Sequence, residues 1–485
     1  MRGLGRTALV DGVDVPLDHL IGGQRVGSDE TIDVHSPIDG SRLGAVGAGG
    51  QREIDAAVAA AREAFPKWAA LGPEGRGELL DALADAIRAH NDDIARVETA
   101  DNGSLVIGNR KRVIKRSAHN VSFFADWARH LESPTVHGDE ADDHVRYDPA
   151  GVAALIVPWN APFMLGTWKV GPALAAGNTV VVKPPEWAPL TLSLLGEYAD
   201  EAGFPPGVVN IVHGTGEVAG AALVGHPDVD RISFTGSPET GRSIARAAAE
   251  HLTPTSFELG GKSPFLIFPD ADLDDAARTI CGQFVNAGQV CLAGTRLLVH
   301  SGIADDLLAR VRATLPTFPV GDPRDLATRV GPLITAEHFA RVAGFVERAL
   351  DAGATALLGG GPSDVGPLWF QPTILGDVRQ DSEIVQREVF GPVLTWQTFE
   401  DTDEAIALAN DTDYGLAATV FAKDEALVER IVGALAAGTV WVNCFFVRNL
   451  ASPFGGAKQS GIGREGGTWS FDFYCDVKNV SVRHA

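Results

Sequence analysis

Of the four cysteines in the chain, Cys291 stands in a run of small and polar residues, Asn286-Ala-Gly-Gln-Val-Cys-Leu-Ala-Gly-Thr-Arg296. Upstream, Glu258 lies in Phe257-Glu-Leu-Gly-Gly-Lys-Ser-Pro264. A thiol nucleophile and a carboxylate base are the groups needed to attack a carbonyl and then hydrolyse the acyl product. A free cysteine is as often a small core residue, so this segment alone leaves both readings open. Pro158-Trp159-Asn160, Lys183-Pro-Pro-Glu186 and Phe234-Thr-Gly236-Ser237 each close a short apolar run. The last continues to Gly241, a spacing that suits phosphate at a helix start. Lys183 and Glu186 add a cation and a carboxylate; a carboxylate beside an adenosine ribose grips its hydroxyls and repels a 2′-phosphate. A solvated strand end is the plainer alternative for that pair. Gly261-Lys262-Ser263 imitates the end of a triphosphate loop, but Ser256 stands where that loop needs its first glycine.

The elements that must position these residues follow from hydrophobic spacing. Gln51 to Trp68 and Pro73 to Ala100 show Ala, Leu and Ile at helical intervals among charges. From Gly151 the texture becomes short apolar runs alternating with helical patterns. Residues 153–157, 178–183, 208–212 and 231–234 read as buried strands, with helices over 189–202, 217–225 and 240–250 between them. A second alternation from Ser263 to about Asn443 places strands at 264–268, 295–299, 417–421 and 438–443. Such alternation implies α/β architecture, with doubly wound parallel sheets. The expected organisation is a dinucleotide-binding unit from 1–130 and 150–259 and a second α/β unit from 260–459 bearing Cys291. Segments 131–149 and 471–485 fit neither and read as strands of a small β appendage for oligomerisation.

Composition bounds the function. The chain has 485 residues, 45% hydrophobic and 21% charged, as expected for an ordered globular protein of more than one domain. Forty basic against 63 acidic residues give a net charge of −23, which argues against nucleic acid or an anionic membrane as a partner. The widely spaced cysteines form neither a disulfide framework nor a metal motif, and no secretory segment precedes Asp11; a reducing cytoplasm is expected.

Read in order, PWN, VVKPPE, FTGS, FELGGKSP, NAGQVC, EVFGPV and PFGGAKQSGIGRE resemble the aldehyde dehydrogenase superfamily from about Gln51 to Val480. The resemblance implies Cys291 as nucleophile, passing through a thiohemiacetal and a thioester. It implies Asn160 and the Cys291 backbone amide as oxyanion donors, and Glu258 as the base for hydrolysis to a free acid. For the cofactor it implies Lys183 and Glu186 at the adenosine ribose. Gly216, Gly236 and Ser237 would lie near the pyrophosphate, Glu388 at the nicotinamide ribose, and Phe390 and Trp159 beside them. NAD is the implied cofactor, with NADP the alternative, and the superfamily forms homodimers or homotetramers. A fold retained as a non-catalytic binding protein, and a broad-specificity aliphatic enzyme, are the rival readings.

The ending is similar to the branch that oxidises hydroxymuconic and aminomuconic semialdehydes. That branch carries an arginine seven residues before Phe-Phe-Ala-Asp, which here is Arg116 before Phe123-Phe-Ala-Asp126. Arginine suits a substrate carboxylate because its planar fork makes two charge-assisted hydrogen bonds. The branch usually has a second arginine just before Ser/Thr-Pro-Phe-Gly-Gly, where this chain has Ala451. The carboxylate would then be held by Arg116, helped by Arg448, with Phe454 in the substrate pocket. Alternatively, Ala161, Val285 and Leu292 would make a roomy apolar pocket for an aromatic or medium-chain aldehyde. Arg116 also belongs to a basic run that could simply be a solvated helix face.

Overall fold

The computed structural model describes residues 5–484. Its first sheet has eight strands in the order Gly461–Ile462, Thr255–Leu259, Arg231–Gly236, Val152–Ile156, Thr179–Lys183, Val209–Ile211, His19–Ile21 and Gln24–Val26. The five strands from Thr255–Leu259 to Val209–Ile211 are parallel, and the outer pairings are antiparallel. Both faces are covered, so the central strands are apolar without interruption. Ala153 and Leu155 join Trp68, Phe124 and Phe163 in one core, while Val152, Ala154 and Ile156 join Ile54, Val58 and Phe257 in the other.

Helix Gln51–Ala70 shows why these sequences fold locally. Ile54, Ala57, Val58, Ala61 and Trp68 recur on one buried face, and the Glu53 carboxylate accepts the otherwise orphaned Gly50 amide at 2.9 Å. The chain runs from Val152–Ile156 outward through the next two strands, then crosses back to Arg231–Gly236 on the other side. That reversal opens a crevice at the carboxyl ends of the strands. Asn160, Lys183 and Ser237 all follow or end strands at this edge.

After Leu259 the chain leaves the first sheet and enters the second at Pro264–Ile267. The second sheet has the order Thr355–Leu358, Thr373–Gly376, Val393–Phe399, Arg296–His300, Pro264–Ile267, Ala417–Phe421 and Thr439–Val442, antiparallel only at the first pair. Cys291 precedes strand Arg296–His300, so the amino edge of this sheet faces the carboxyl edge of the first. A third, three-stranded antiparallel sheet combines Cys475–Arg483, Ala141–Pro149 and Thr135–His137.

Several expectations need correction. The tail is not strand from Phe471: helix Gly467–Tyr474 comes first, because Phe471 and Tyr474 pack into the first core. The helix expected over 217–225 is a π turn, Gly216–Gly220, followed by Ala221–Val224. Strands between Thr7 and Gly47 went unread, since each is short and several pair only with near neighbours. The chain also returns to the first sheet after residue 459, through Gly461–Ile462 beside Thr255–Leu259. Residues 1–4 of the first unit and residue 485 of the tail lie outside the described residues.

Candidate active site

Asn160 ends the turn that follows the central strand of the first sheet, and its side chain crosses the crevice. Its Nδ2 donates to the Gln289 carbonyl at 3.0 Å, and Asn286 Nδ2 donates back to the Asn160 carbonyl at 3.1 Å. Cys291 is two residues beyond Gln289 and half-buried. Burial, then the carboxylates of Glu388 and Glu258, push its thiol up to about 12. The sulfur is therefore a thiol at neutral pH and needs a base to become a nucleophile.

Glu258 occupies the penultimate position of strand Thr255–Leu259 and is buried, with no protein partner for either carboxylate oxygen. A Cβ added to Gly455 would sit 2.9 Å from Glu258 Oε1, so the Pro-Phe-Gly-Gly turn closes over this group. Burial, reinforced by the negative charge of Glu465, raises its carboxyl to about 8. Glu465 itself is tied down: Trp168 Nε1 donates to it at 2.5 Å, and Lys169 Nζ lies 3.3 Å away while also donating to Ser233 Oγ at 2.8 Å. Sequence reasoning passed over Lys169 and Glu465. The available signal was one lysine in the otherwise apolar helix Pro162–Ala175.

Arg448 lies between two rings, its guanidinium carbon 4.0 Å from the Trp168 centroid and 3.8 Å from that of Phe454. Its Nε and Nη2 are buried without a protein partner, and burial lowers its pKa to about 10. Arg116 Nη1 donates to the Arg448 carbonyl at 3.4 Å, and Arg116 Nε to Asn120 Oδ1 at 3.1 Å. Lys111, Arg112 and Lys115 are exposed whereas Arg116 is partly buried, so it does not belong to the solvated face. The surroundings of Cys291 are largely apolar, with Val290, Cys291 and Phe445 packed against one hydrophobic cluster. Leu292 is buried with Trp441 and Phe454, while Glu258 and Arg448 bring charge to the cleft.

The other arm of the cleft is more open. Lys183 Nζ meets Glu186 Oε2 at 2.8 Å, with the lysine buried and the glutamate half-exposed. Gly216 is exposed, and a Cβ added there would meet nothing within 4 Å. Ser237 Oγ accepts the Thr240 amide at 3.2 Å at the start of helix Pro238–Ala249, just after Gly236. Toward Cys291, Glu388 Oε1 accepts the Gly261 amide at 3.0 Å, and burial raises its carboxyl to about 7. A side chain at Gly260 would displace that carboxylate from its present position. Phe390 meets Trp159 edge to face, centroids 5.2 Å apart, and Trp159 also contacts Trp187 and His338. An open polar lip leading to an aromatic wall and a carboxylate fits an extended dinucleotide. Among the described residues, no group of three or more His, Cys, Asp or Glu is placed to hold a metal.

Residues 25–480 match the aldehyde dehydrogenase family. The chain belongs to that family. It is 43% identical over 482 residues to the 2-hydroxymuconic semialdehyde dehydrogenase of Pseudomonas sp. (strain CF600), covering 96% of this chain and 99% of the relative. It is 42% identical over 478 residues to the 2-aminomuconic semialdehyde dehydrogenase of Danio rerio, covering 96% and 98%. The NAD+ complex of an aldehyde dehydrogenase from Bacillus cereus superposes with a TM-score of 0.93 at 38% identity, covering 96% of each chain. As a member of the aldehyde dehydrogenase family, the protein is an oxidoreductase that oxidises aldehydes with NAD.

Proposed function

We propose that the protein oxidises an aldehyde bearing a carboxylate, a semialdehyde of the kind its relatives are named for, to the corresponding acid. The observation that carries this reading is the Arg448 guanidinium, whose Nε and Nη2 are buried and unpartnered beside Arg116. A buried cation without acceptors is costly, and a substrate carboxylate supplies both charge and acceptors.

In the proposed mechanism Cys291 Sγ attacks the carbonyl carbon and its proton passes to the Glu258 carboxylate, which returns it to solvent before the hydrolytic step. The carbonyl oxygen becomes an oxyanion held by Asn160 Nδ2 and the Cys291 backbone amide, donors typically contributing about 3–4 kcal/mol each. Lys183, Glu186, Gly216, Gly236 and Ser237 would hold NAD, with Glu388, Phe390 and Trp159 toward its nicotinamide end, and it would supply the hydride acceptor. Loss of hydride from carbon leaves a thioester on Cys291. Glu258 then takes a proton from water as the water attacks; the C–S bond breaks, releasing acid and restoring the thiolate. Burial, unpartnered carboxylate oxygens and a pKa raised to about 8 support that role for Glu258.

A second reading is favoured by the electrostatics: Arg448 would serve as counter-charge to Glu258 and Glu465, and the substrate would be an uncharged aromatic aldehyde. NAD reduction with 2-hydroxymuconic semialdehyde, benzaldehyde, hexanal and betaine aldehyde separates the two. The carboxylate reading expects the semialdehyde to lead, and Arg116→Ala to raise its KM at least tenfold while leaving benzaldehyde unchanged. Equal preference for benzaldehyde, with no KM change in Arg116→Ala, would sink it.

We also propose a closed homodimer or homotetramer in a reducing cytoplasm. Exposed Val136, Val477 and Val482 on the three-stranded sheet support assembly, and four free cysteines suit that compartment. No helix among the described residues is long and apolar enough to cross a membrane.

A further inference from the structure

We infer that Asn286 is a positioning residue that aims the Asn160 amide at the reacting oxygen, an inference that rests on the oxyanion role proposed above. A side-chain amide is planar, with two N–H groups on one nitrogen. When one is committed to a fixed acceptor, the direction of the other is set before substrate arrives, and no reorganisation is needed during reaction. Asn160 commits one N–H to the Gln289 carbonyl at 3.0 Å. What holds that carbonyl, and the Asn160 backbone with it, is Asn286: its Nδ2 donates to the Asn160 carbonyl at 3.1 Å and to the Gln289 carbonyl at 3.4 Å. One amide thus ties the first wall of the cleft to the loop carrying Cys291.

The loop is built to hold Asn286 there. Asn286 and Ala287 both adopt left-handed backbone, φ 56° and 53°, followed by Gly288 at 67°. Two consecutive non-glycine residues in this region are strained, and asparagine is among the few types that tolerate it. The strain persists because the surroundings over-determine the shape. Gln289 is buried, its Oε1 accepts the Ile334 amide at 3.0 Å, and its Nε2 donates to the Asn286 carbonyl at 3.1 Å. Gly288 is packed so closely on the Gly391 carbonyl that any side chain would collide. The neighbouring carbonyl of Trp159 is held likewise, by Asn102 Nδ2 at 3.4 Å. Asn286 touches no reacting atom in this account; it acts through Asn160.

A double-mutant cycle tests this, read as kcat/KM for the aldehyde, which reports steps up to hydride transfer and not thioester hydrolysis. Asn160→Ala is expected to lower it by about 10²–10³. Asn286→Gly keeps the left-handed backbone but removes the donor, and should lower it about 10- to 100-fold. Combined, the two should be no worse than Asn160→Ala alone, because the first acts only through the second. Asn286→Asp, isosteric but presenting an acceptor to both carbonyls, should be at least as impaired as Asn286→Gly. NADH affinity and the rate of Cys291 alkylation by iodoacetamide should match wild type in both single Asn286 variants. Multiplicative losses in the double variant, wild-type kcat/KM in Asn286→Gly, or alkylation slowed in step with activity would each overturn the inference. Wild-type activity in Asn160→Ala would instead overturn the oxyanion role itself.

Discussion

On the arm proposed for the nucleotide, the buried Lys183 is paired with the half-exposed Glu186, and Ser237 spends its hydroxyl on a helix amide. On the arm proposed for the aldehyde, Glu258 is buried and Arg448 half-buried, each with buried polar atoms that no protein group satisfies, beside Trp168, Phe454 and the Gly455 turn. The first arrangement would suit recognition and release of a ligand, since its polar groups already have partners. The second stores unfavourable electrostatics where charge must move, which is where perturbed titratable groups concentrate in enzymes. The difference teaches that the proposed binding arm keeps its polar groups paired while the proposed chemical arm leaves them unpaired, with the Asn160–Gln289–Asn286 contact among those that tie the two walls together.

If that division is right, substitutions on the dry arm should cost far more than those on the open one. Cys291→Ala is expected to have the largest effect, lowering aldehyde oxidation and ester hydrolysis by at least about 10⁴. Steady-state NADH formation measures it, and substantial turnover would refute the covalent route. Glu258→Gln comes next, slowing thiol attack and stalling further at the thioester: rapid mixing should show a slowed NADH burst followed by turnover reduced by about 10²–10⁴. In the wild type the Glu258 carboxyl, raised to about 8, is mostly protonated at pH 7, so thioester hydrolysis should speed up as pH rises through 8 and then level off. The variant should lose that limb.

The same shift has a stability consequence. Because the folded pKa lies above the ordinary value of 4.5, the native state holds this proton more tightly than the unfolded chain does. Its contribution is therefore present below 4.5 and lost as pH climbs to about 8, so Glu258→Gln should melt higher than wild type at pH 9. A lower melting temperature there would contradict the burial argument. The smallest effect is expected on the open arm. Glu186→Ala should raise the NAD KM by about tenfold, as expected for one charge-assisted hydrogen bond, and narrow the preference over NADP. No change in either would show that the Lys183–Glu186 pair is only a strand-end ion pair.

How much of this was legible beforehand follows from the range of the interactions. Strand Val152–Ile156 and helix Leu190–Glu201 were readable within two residues, because a core strand and its covering helix carry their burial in local periodicity. The tail was misread at Phe471 because aromatic content favours strand locally, whereas packing against the first core selects helix. Arg448 is reached in the sequence only as a helper to Arg116, and Glu465 reads as an ordinary charge in a loop; nothing local marks the polar atoms of either as buried.

From sequence alone came the residue types able to do the chemistry, the parallel α/β plan, and the order in which the chemistry-bearing turns occur. Hydrophobic spacing and backbone requirements act over a few residues, so they are written in the chain itself. Tertiary structure alone decided that Asn160 meets the Cys291 loop, that Lys169 neutralises Glu465, and that Glu258 and Arg448 end up dry. Those outcomes depend on desolvation by segments more than a hundred residues apart, and desolvation exists only once the two sheets have closed on each other.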